Sequence, residues 1–286
     1  MNTGECHRVL EGHYINVKKV VYSLKGDQVI SAVRDGTLRV WNVQSGNCCN
    51  TMTAYENAVF GVACSPNGKI IASTGEDMTV RLWEASVCTS RHVSSGHSQE
   101  VENVKCSLQS TAIASCSADC MVRLWDVKTG ACLKTLRGHT RAVVGIAFSP
   151  RGDQLSSGGC DKKIWLWDVE TGGLQHTLRG HTSPIYCIVY SPRGNRIASV
   201  SFGGTVRLWD TTTGRCCRVL QGHTHGIMSV TYLPDGSLLA TGSKDRTVRL
   251  WNVDVTGSKE SMARHWKVGG CRILEGHTRW VGGILT

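Results

Sequence analysis

Six tryptophans, Trp41, Trp83, Trp125, Trp167, Trp209 and Trp251, follow one another at intervals of 42 residues. A Gly-His pair keeps the same beat at Gly12-His13, Gly96-His97, Gly138-His139, Gly180-His181 and Gly222-His223. Ala54-Tyr55 fills the vacant position, and Gly276-His277 comes 54 residues after its predecessor. A fixed period of this length marks a repeat architecture, in which each repeat buries its apolar faces only by stacking on its neighbours. The repeats start at Gly12, Ala54, Gly96, Gly138, Gly180, Gly222 and Gly276.

Within a repeat the pattern is that of strands. An alternating run such as Val143-Val144-Gly145-Ile146-Ala147-Phe148 follows Gly-His and leads to a turn, for example Ser65-Pro66-Asn67-Gly68, Ser149-Pro150-Arg151-Gly152 or Leu233-Pro234-Asp235-Gly236. Proline presets φ for such a turn and glycine accepts positive φ. A second strand, an aspartate turn, a third strand ending in tryptophan, a Thr-Gly turn (Thr129-Gly130, Thr171-Gly172, Thr213-Gly214) and a fourth strand complete the repeat. The spacing predicts an all-β chain of four-stranded sheets that cover one another's faces.

Trp125-Asp126, Trp167-Asp168 and Trp209-Asp210, with the variants Trp41-Asn42, Trp83-Glu84 and Trp251-Asn252, stand in register with the Gly-His pairs. On these motifs the whole chain resembles the WD-repeat (WD40) family. The resemblance implies a β-propeller of six complete four-stranded blades plus an incomplete seventh, forming a single domain over residues 1–286. The regularity is also similar to the repeat arrays of fungal and bacterial WD-repeat signalling proteins. A fragment of such a larger signalling ATPase is one alternative, although no G-x-x-x-x-G-K-[ST] motif is present.

Four repeats carry His, Ser or Thr, Asp and Trp at constant offsets: His13, Ser31, Asp35, Trp41; His97, Ser115, Asp119, Trp125; His139, Ser157, Asp161, Trp167; and His223, Thr241, Asp245, Trp251. These residue types also build Ser-His-Asp catalytic triads. An active site occurs once, however, whereas this set recurs. A Trp–Ser–His–Asp chain also satisfies each buried polar member in turn, and the family resemblance implies a structural tetrad at these positions. The second repeat has Tyr55 for histidine, and the fifth has Gly203 for aspartate. Both are expected to be less rigid. No other cluster escapes the repeat register, so a propeller enzyme is the weakest alternative and no catalytic residue is expected.

The net charge of +10 raises nucleic acid or an anionic surface as a partner. Many of the positives fall in one repeated slot (Arg39, Arg81, Arg123, Arg207, Arg249), which suggests a solvated surface. The 14 cysteines include Cys6, Cys48, Cys132 and Cys216 at multiples of 42, and equivalent slots lie too far apart to bridge. Free thiols packed as small hydrophobes are expected. Cys116 and Cys120 lack the second ligand pair that zinc needs, so no metal and no cofactor is predicted. No apolar stretch approaches a membrane span, the first ten residues are not a secretory signal, and Asn-x-Ser/Thr is absent. The expectation is an intracellular, cytoplasmic protein, with the nucleus left open.

Thr3 to Leu10 matches the outer strand of a repeat, as in Thr213 to Leu220, and Thr286 falls within the inner strand of a seventh. Residues 5–10 and 279–285 could pair to close the ring. A fragment of a longer array and an irregular natural closure are both compatible with this pattern. Residues 254–270 read as an insertion with Lys259, Arg264, His265, Trp266 and Lys267, either a solvated loop or a clip for a partner.

The function expected is a non-catalytic scaffold or adaptor for other proteins or peptide segments, with no small-molecule substrate. Family resemblance places partner contacts at three slots per repeat: the fourth and sixth residues after the first Gly, and the residue before the tetrad aspartate. They are Asn16, Lys18 and Arg34; Ala58, Phe60 and Glu76; Glu100, Glu102 and Ala118; Ala142, Val144 and Cys160; Pro184, Tyr186 and Phe202; Gly226, Met228 and Lys244; and Trp280 and Gly282. These slots vary while the rest repeats. Tyr186, Phe202, Met228 and Trp280 form the predicted apolar anchor, flanked by Lys18, Arg34 and Lys244, and Phe60 is a further candidate contact. Glu76, Glu100 and Glu102 are placed towards the other side.

Overall fold

Short runs of alternating apolar residues, cut by Gly, Pro, Asp and Asn, favour strands over helices. The computed structural model describes residues 9–23, 25–53, 55–253 and 271–274, the last four as backbone, and the described residues contain strands and turns and no helix. Six antiparallel four-stranded sheets form in chain order. The first is β1 (Val17–Tyr22), β2 (Gln28–Val33), β3 (Thr37–Asn42) and β4 (Cys48–Thr53). The second is β5 (Val59–Cys64), β6 (Ile70–Gly75), β7 (Val80–Glu84) and β8 (Thr89–Ser94). The third is β9 (Val101–Cys106), β10 (Ala112–Ser117), β11 (Val122–Asp126) and β12 (Cys132–Leu136). The fourth is β13 (Val143–Phe148), β14 (Gln154–Gly159), β15 (Lys163–Asp168) and β16 (Leu174–Arg179). The fifth is β17 (Ile185–Tyr190), β18 (Arg196–Ser201), β19 (Val206–Asp210) and β20 (Cys216–Leu220). The sixth is β21 (Ile227–Tyr232), β22 (Leu238–Ser243), β23 (Val248–Asn252) and β24 (Cys271–Leu274).

The chain divides into two compact units, Met1–Ser115 with Trp125–Cys132, and Cys116–Leu124 with Leu133–Thr286. In the first, Leu38, Val40 and Met52 of one sheet bury against Val59, Val62, Ile71 and Trp83 of the next. Ala63, Val80 and Leu82 bury in the same way against Val101, Val104, Ile113 and Trp125. In the second, Ile164, Leu166 and Leu178 bury against Ile185, Ile188, Ile197 and Trp209, and Val206, Leu208 and Leu220 against Ile227, Val230 and Trp251. Within each unit a sheet therefore serves as the core of the next, and burying an aliphatic side chain in such a contact stabilises by ~1.5–3 kcal/mol.

Turn chemistry fixes the strand ends. In the first hairpin of the second and fourth sheets, Gly68 N–H donates to Ser65 O and Gly152 N–H to Ser149 O, at 2.8 and 2.9 Å. Both glycines sit at positive φ, 69° and 75°, where a Cβ is strained. The aspartate of the Trp-Asp dipeptide stays outside the tetrad. Asp126 Oδ1 accepts the N–H and O–H of Thr129 at 2.7 and 2.8 Å, and Asp168 and Asp210 do the same for Thr171 and Thr213. These bonds hold all three carboxyls below the usual carboxylate range.

The predicted closing pair, residues 5–10 with 279–285, and the predicted insertion at 254–270 fall almost wholly outside the described residues, as do Trp280 and Gly282.

Candidate partner-binding face

Beneath the variable slots lies a repeated hydrogen-bond network. Trp Nε1 donates at 2.8 Å to Ser31, Ser73, Ser115, Ser157, Ser199 and Thr241 in turn. His13, His97, His139, His181 and His223 meet the same hydroxyls through Nε2 at 2.6–2.8 Å. Asp161 and Asp245 complete the chain on His139 and His223 at 2.8 and 2.6 Å. Both pairs are nearly dry, with side-chain exposures of 1% and 2%, and 0% and 6%.

The first sheet corrects the expectation for Asp35. Its carboxylate accepts Thr37 N–H at 2.9 Å and Thr37 O–H at 2.6 Å, and His13 Nδ1 is buried without a hydrogen-bond partner. The Thr37 bonds do not by themselves exclude the histidine, because Asp245 accepts both donors of Thr247 on one oxygen and still meets His223 with the other. In the second sheet, buried Tyr55 bonds Ser73 at 2.7 Å, and Asp77 pairs with Arg81 at 2.7 Å. Arg81 lies 4.5 Å above the Tyr55 ring. In the fifth, Gly203 leaves His181 Nδ1 with only the Thr205 hydroxyl, at 3.4 Å. Burial then pushes His181 down to about 4.

The repeated arginines are not simply a solvated surface. Arg39 and Arg207 stack on Trp41 and Trp209 at 5.8 and 5.9 Å, and their Nε atoms, with those of Arg123 and Arg249, are buried. The glycine of Gly-His makes room: a Cβ at Gly12 or Gly222 would meet the Arg39 or Arg249 guanidinium at 2.5 Å. Trp165 takes this slot in the fourth sheet, stacked 5.3 Å from Trp167. An arginine two residues before the tryptophan in every repeat but the fourth was the sequence signal for this, a cation–π spacing.

On this network the variable slots are held together. The residue before the tetrad position donates its N–H to the carbonyl of the first slot: Glu76 to Ala58, Cys160 to Ala142, Phe202 to Pro184 and Lys244 to Gly226, at 2.8–3.0 Å. The remaining slot is a β-bulge. Pairing shifts across Lys18, Phe60, Val144, Tyr186 and Met228 in β1, β5, β13, β17 and β21. A bulge re-aims its extra side chain, so it frees these positions from the core alternation.

In the second unit, Tyr186 and Phe202 lie 6.5 Å apart, and Lys244 Nζ sits 4.7 Å above the Phe202 ring. Phe202 is 48% exposed, whereas Tyr186 and Met228 are half-buried. Gly226 brings backbone against Phe202, since a Cβ there would meet the ring at 3.1 Å. Lys244 therefore stacks on the predicted anchor. In the first unit, Lys18 feels both Arg34 and Glu102, and burial pushes it down. Glu102 is pushed up by burial and then by Glu100.

The cysteines among the described residues are free thiols, and no group of three or more His, Cys, Asp or Glu there could hold a metal. Cys48, Cys49, Cys132, Cys216 and Cys217 are exposed, which corrects the expectation that the thiols pack as small hydrophobes. They lie on fourth strands, whose edge faces solvent. No helix among the described residues is long and apolar enough to cross a membrane.

The family described as "WD domain, G-beta repeat" matches six stretches, residues 4–42, 46–84, 88–126, 130–168, 172–210 and 214–252, which together cover more than half of the chain. The chain belongs to the WD-repeat family. Among individual relatives, periodic tryptophan protein 2 of Arabidopsis thaliana is 41% identical over 49 residues, 17% of this chain and 5% of its own length. Pre-mRNA-processing factor 19 of Bos taurus is 37% identical over 54 residues, 19% of this chain and 11% of its own. The Mus musculus factor is 34% identical over 62 residues, 22% and 12%. The chain thus spans about a twentieth to an eighth of these relatives, about one repeat's worth of likeness in each case.

Proposed function

We propose that this WD-repeat chain is a non-catalytic scaffold whose sheets are the blades of a propeller and which binds another protein on the rim bearing the variable slots. Phe202, Tyr186 and Met228 are the apolar anchors in the second unit, and Lys244 faces an acidic group of the partner. Lys18, Arg34, Phe60 and Glu102 fill the same slots in the first unit and are contacts in their own right. One observation carries the reading: a half-exposed phenylalanine, Phe202, held by backbone and cation–π contacts beside the position where the tetrad aspartate is missing. An aromatic displayed on a rigid support is the usual centre of a binding hot spot.

Affinity capture from the source cell supplies the partner. Phe202→Ala, Tyr186→Ala and Met228→Ala should then each weaken binding by about 1–3 kcal/mol with the fold intact. Unchanged affinity in all three variants would place the site elsewhere. A binding constant that falls steeply and log-linearly with salt would favour nucleic acid or an anionic surface instead.

A further inference from the structure

In the sixth sheet the Asp245 carboxylate accepts four hydrogen bonds. They come from His223 Nδ1–H at 2.6 Å, Thr224 N–H at 3.1 Å, and Thr247 N–H and O–H at 3.0 and 2.6 Å. The fifth sheet keeps each of these donors, as His181, Thr182 and Thr205, and has Gly203 in the aspartate position. It has therefore retained the cradle of a carboxylate without the carboxylate.

The His181 hydrogen is aimed into that cradle. Trp209 Nε1–H donates to the Ser199 hydroxyl at 2.8 Å, and this hydroxyl donates to His181 Nε2 at 2.7 Å. The neutral ring then carries its hydrogen on Nδ1. The Thr205 hydroxyl, 3.4 Å from Nδ1, does not stand in for the carboxylate. Thr247 lies at 3.3 Å from His223 Nδ1 in the same way, with Asp245 bonded there as well, and 3.4 Å is beyond the usual N–H···O range. His181 itself is 7% exposed, so bulk water has little access to its ring.

The cradle opens outward. Gly203, Thr182 and Phe202 are all exposed, whereas the Asp161 and Asp245 side chains that fill this position elsewhere are 2% and 6% exposed. A Cβ on Gly203 would come within 2.8 Å of the Ser183 hydroxyl, so a further donor stands at the mouth. Burial, and then the nearby Arg207 charge, keep the His181 ring neutral, and Lys244 Nζ lies over the Phe202 ring. Two cations thus stand close to a set of donors that lacks an acceptor, which suits a carboxylate better than a neutral carbonyl.

We propose that the side-chain carboxylate of an aspartate or glutamate of the bound partner enters at Gly203 and completes the tetrad in trans, accepting from His181 Nδ1–H, Thr182 N–H and Thr205. That assignment rests on the reading that a partner covers Phe202, and deepens it with the acid carried beside that contact.

Two experiments test it. In the first, sodium acetate stands in for the acidic side chain and is titrated against sodium chloride, at constant ionic strength, into protein labelled with nitrogen-15 at histidine; His181→Gln assigns the resonance. The expected result is a saturable shift of the His181 Nδ1 signal in wild type and none in Gly203→Asp, whose own carboxylate fills the cradle. In the second, the partner obtained by affinity capture is titrated with wild type, Gly203→Asp and Phe202→Ala. Gly203→Asp should melt higher than wild type yet bind the partner about tenfold more weakly or worse, because two carboxylates then compete for one set of donors. Weakened binding by Gly203→Asp with normal binding by Phe202→Ala would remove the apolar anchor and keep the carboxylate site; the reverse pair of results would remove the carboxylate site alone. No saturable shift at His181, an equal acetate response in Gly203→Asp, or unchanged partner affinity in Gly203→Asp would overturn the proposal.

Discussion

Removing the tetrad aspartate should cost very different amounts in two sheets that look alike in sequence. In Asp161→Ala, the buried His139 Nδ1–H loses its only carboxylate, 2.8 Å away in a site where neither side chain is more than 2% exposed. Losing a charge-assisted bond costs about 1.5–3 kcal/mol, and leaving one partner of a buried pair unmatched costs about 3–5 kcal/mol. A loss of ~2–4 kcal/mol is therefore expected. In Asp35→Ala, only the two bonds to Thr37 go, in a partly solvated turn, and His13 Nδ1 already lacks a partner. About 1 kcal/mol is expected there. Urea unfolding followed by tryptophan fluorescence gives both values on one scale. Equal losses would refute the reasoning, because they would mean that Asp35 serves His13 as Asp161 serves His139.

Three further outcomes follow from the same geometry. His181 is held neutral by burial, its folded value of about 4 lying below the ordinary 6.5, so its contribution is present above pH 6.5 and is lost as the pH falls from there towards 4; Tm against pH should show this, and Gly203→Asp, which gives His181 a carboxylate, should move the loss to lower pH. Gly138→Ala should push the Trp165 ring off Trp167 at a cost of ~1–3 kcal/mol, visible in the near-ultraviolet circular dichroism of the pair. Gly68→Ala meets nothing within 4 Å and carries only the strain of φ 69°, so it should cost about 1 kcal/mol and leave that spectrum unchanged.

The repeat period made the fold legible, because each 42-residue segment must hide its apolar faces on a copy of itself. Strand order, turn positions and the buried tryptophans follow from that constraint. What stayed hidden was side-chain choice among near-equal partners. Asp35 and Asp161 occupy one slot, yet Asp35 bonds Thr37 and not His13 while Asp161 bonds His139, and the residue that follows does not decide between them, since Asp245 serves Thr247 and His223 together. The stacking of Arg39 and Arg207 was obscured because a repeated cation reads equally as surface charge. The bulges were also invisible: an extra residue in a strand does not change spacing, and only the pairing reveals that Tyr186 and Met228 leave the core alternation. For the variable slots, variation itself was the signal, and the backbone bonds between them, such as Phe202 N–H to Pro184 O, supply the reason they lie together.

The central claim is that the rim around Phe202 meets another protein, and site-specific photo-crosslinking tests it most directly. A photoreactive phenylalanine analogue at position 202 is compared, in the source cell, with the same analogue at Val219, an exposed residue of the fourth strand of the same sheet. The account predicts a discrete crosslinked protein from position 202 that is lost when Met228→Ala is added, and none from position 219. Crosslinking from 219 alone, or to nucleic acid at 202, would contradict it.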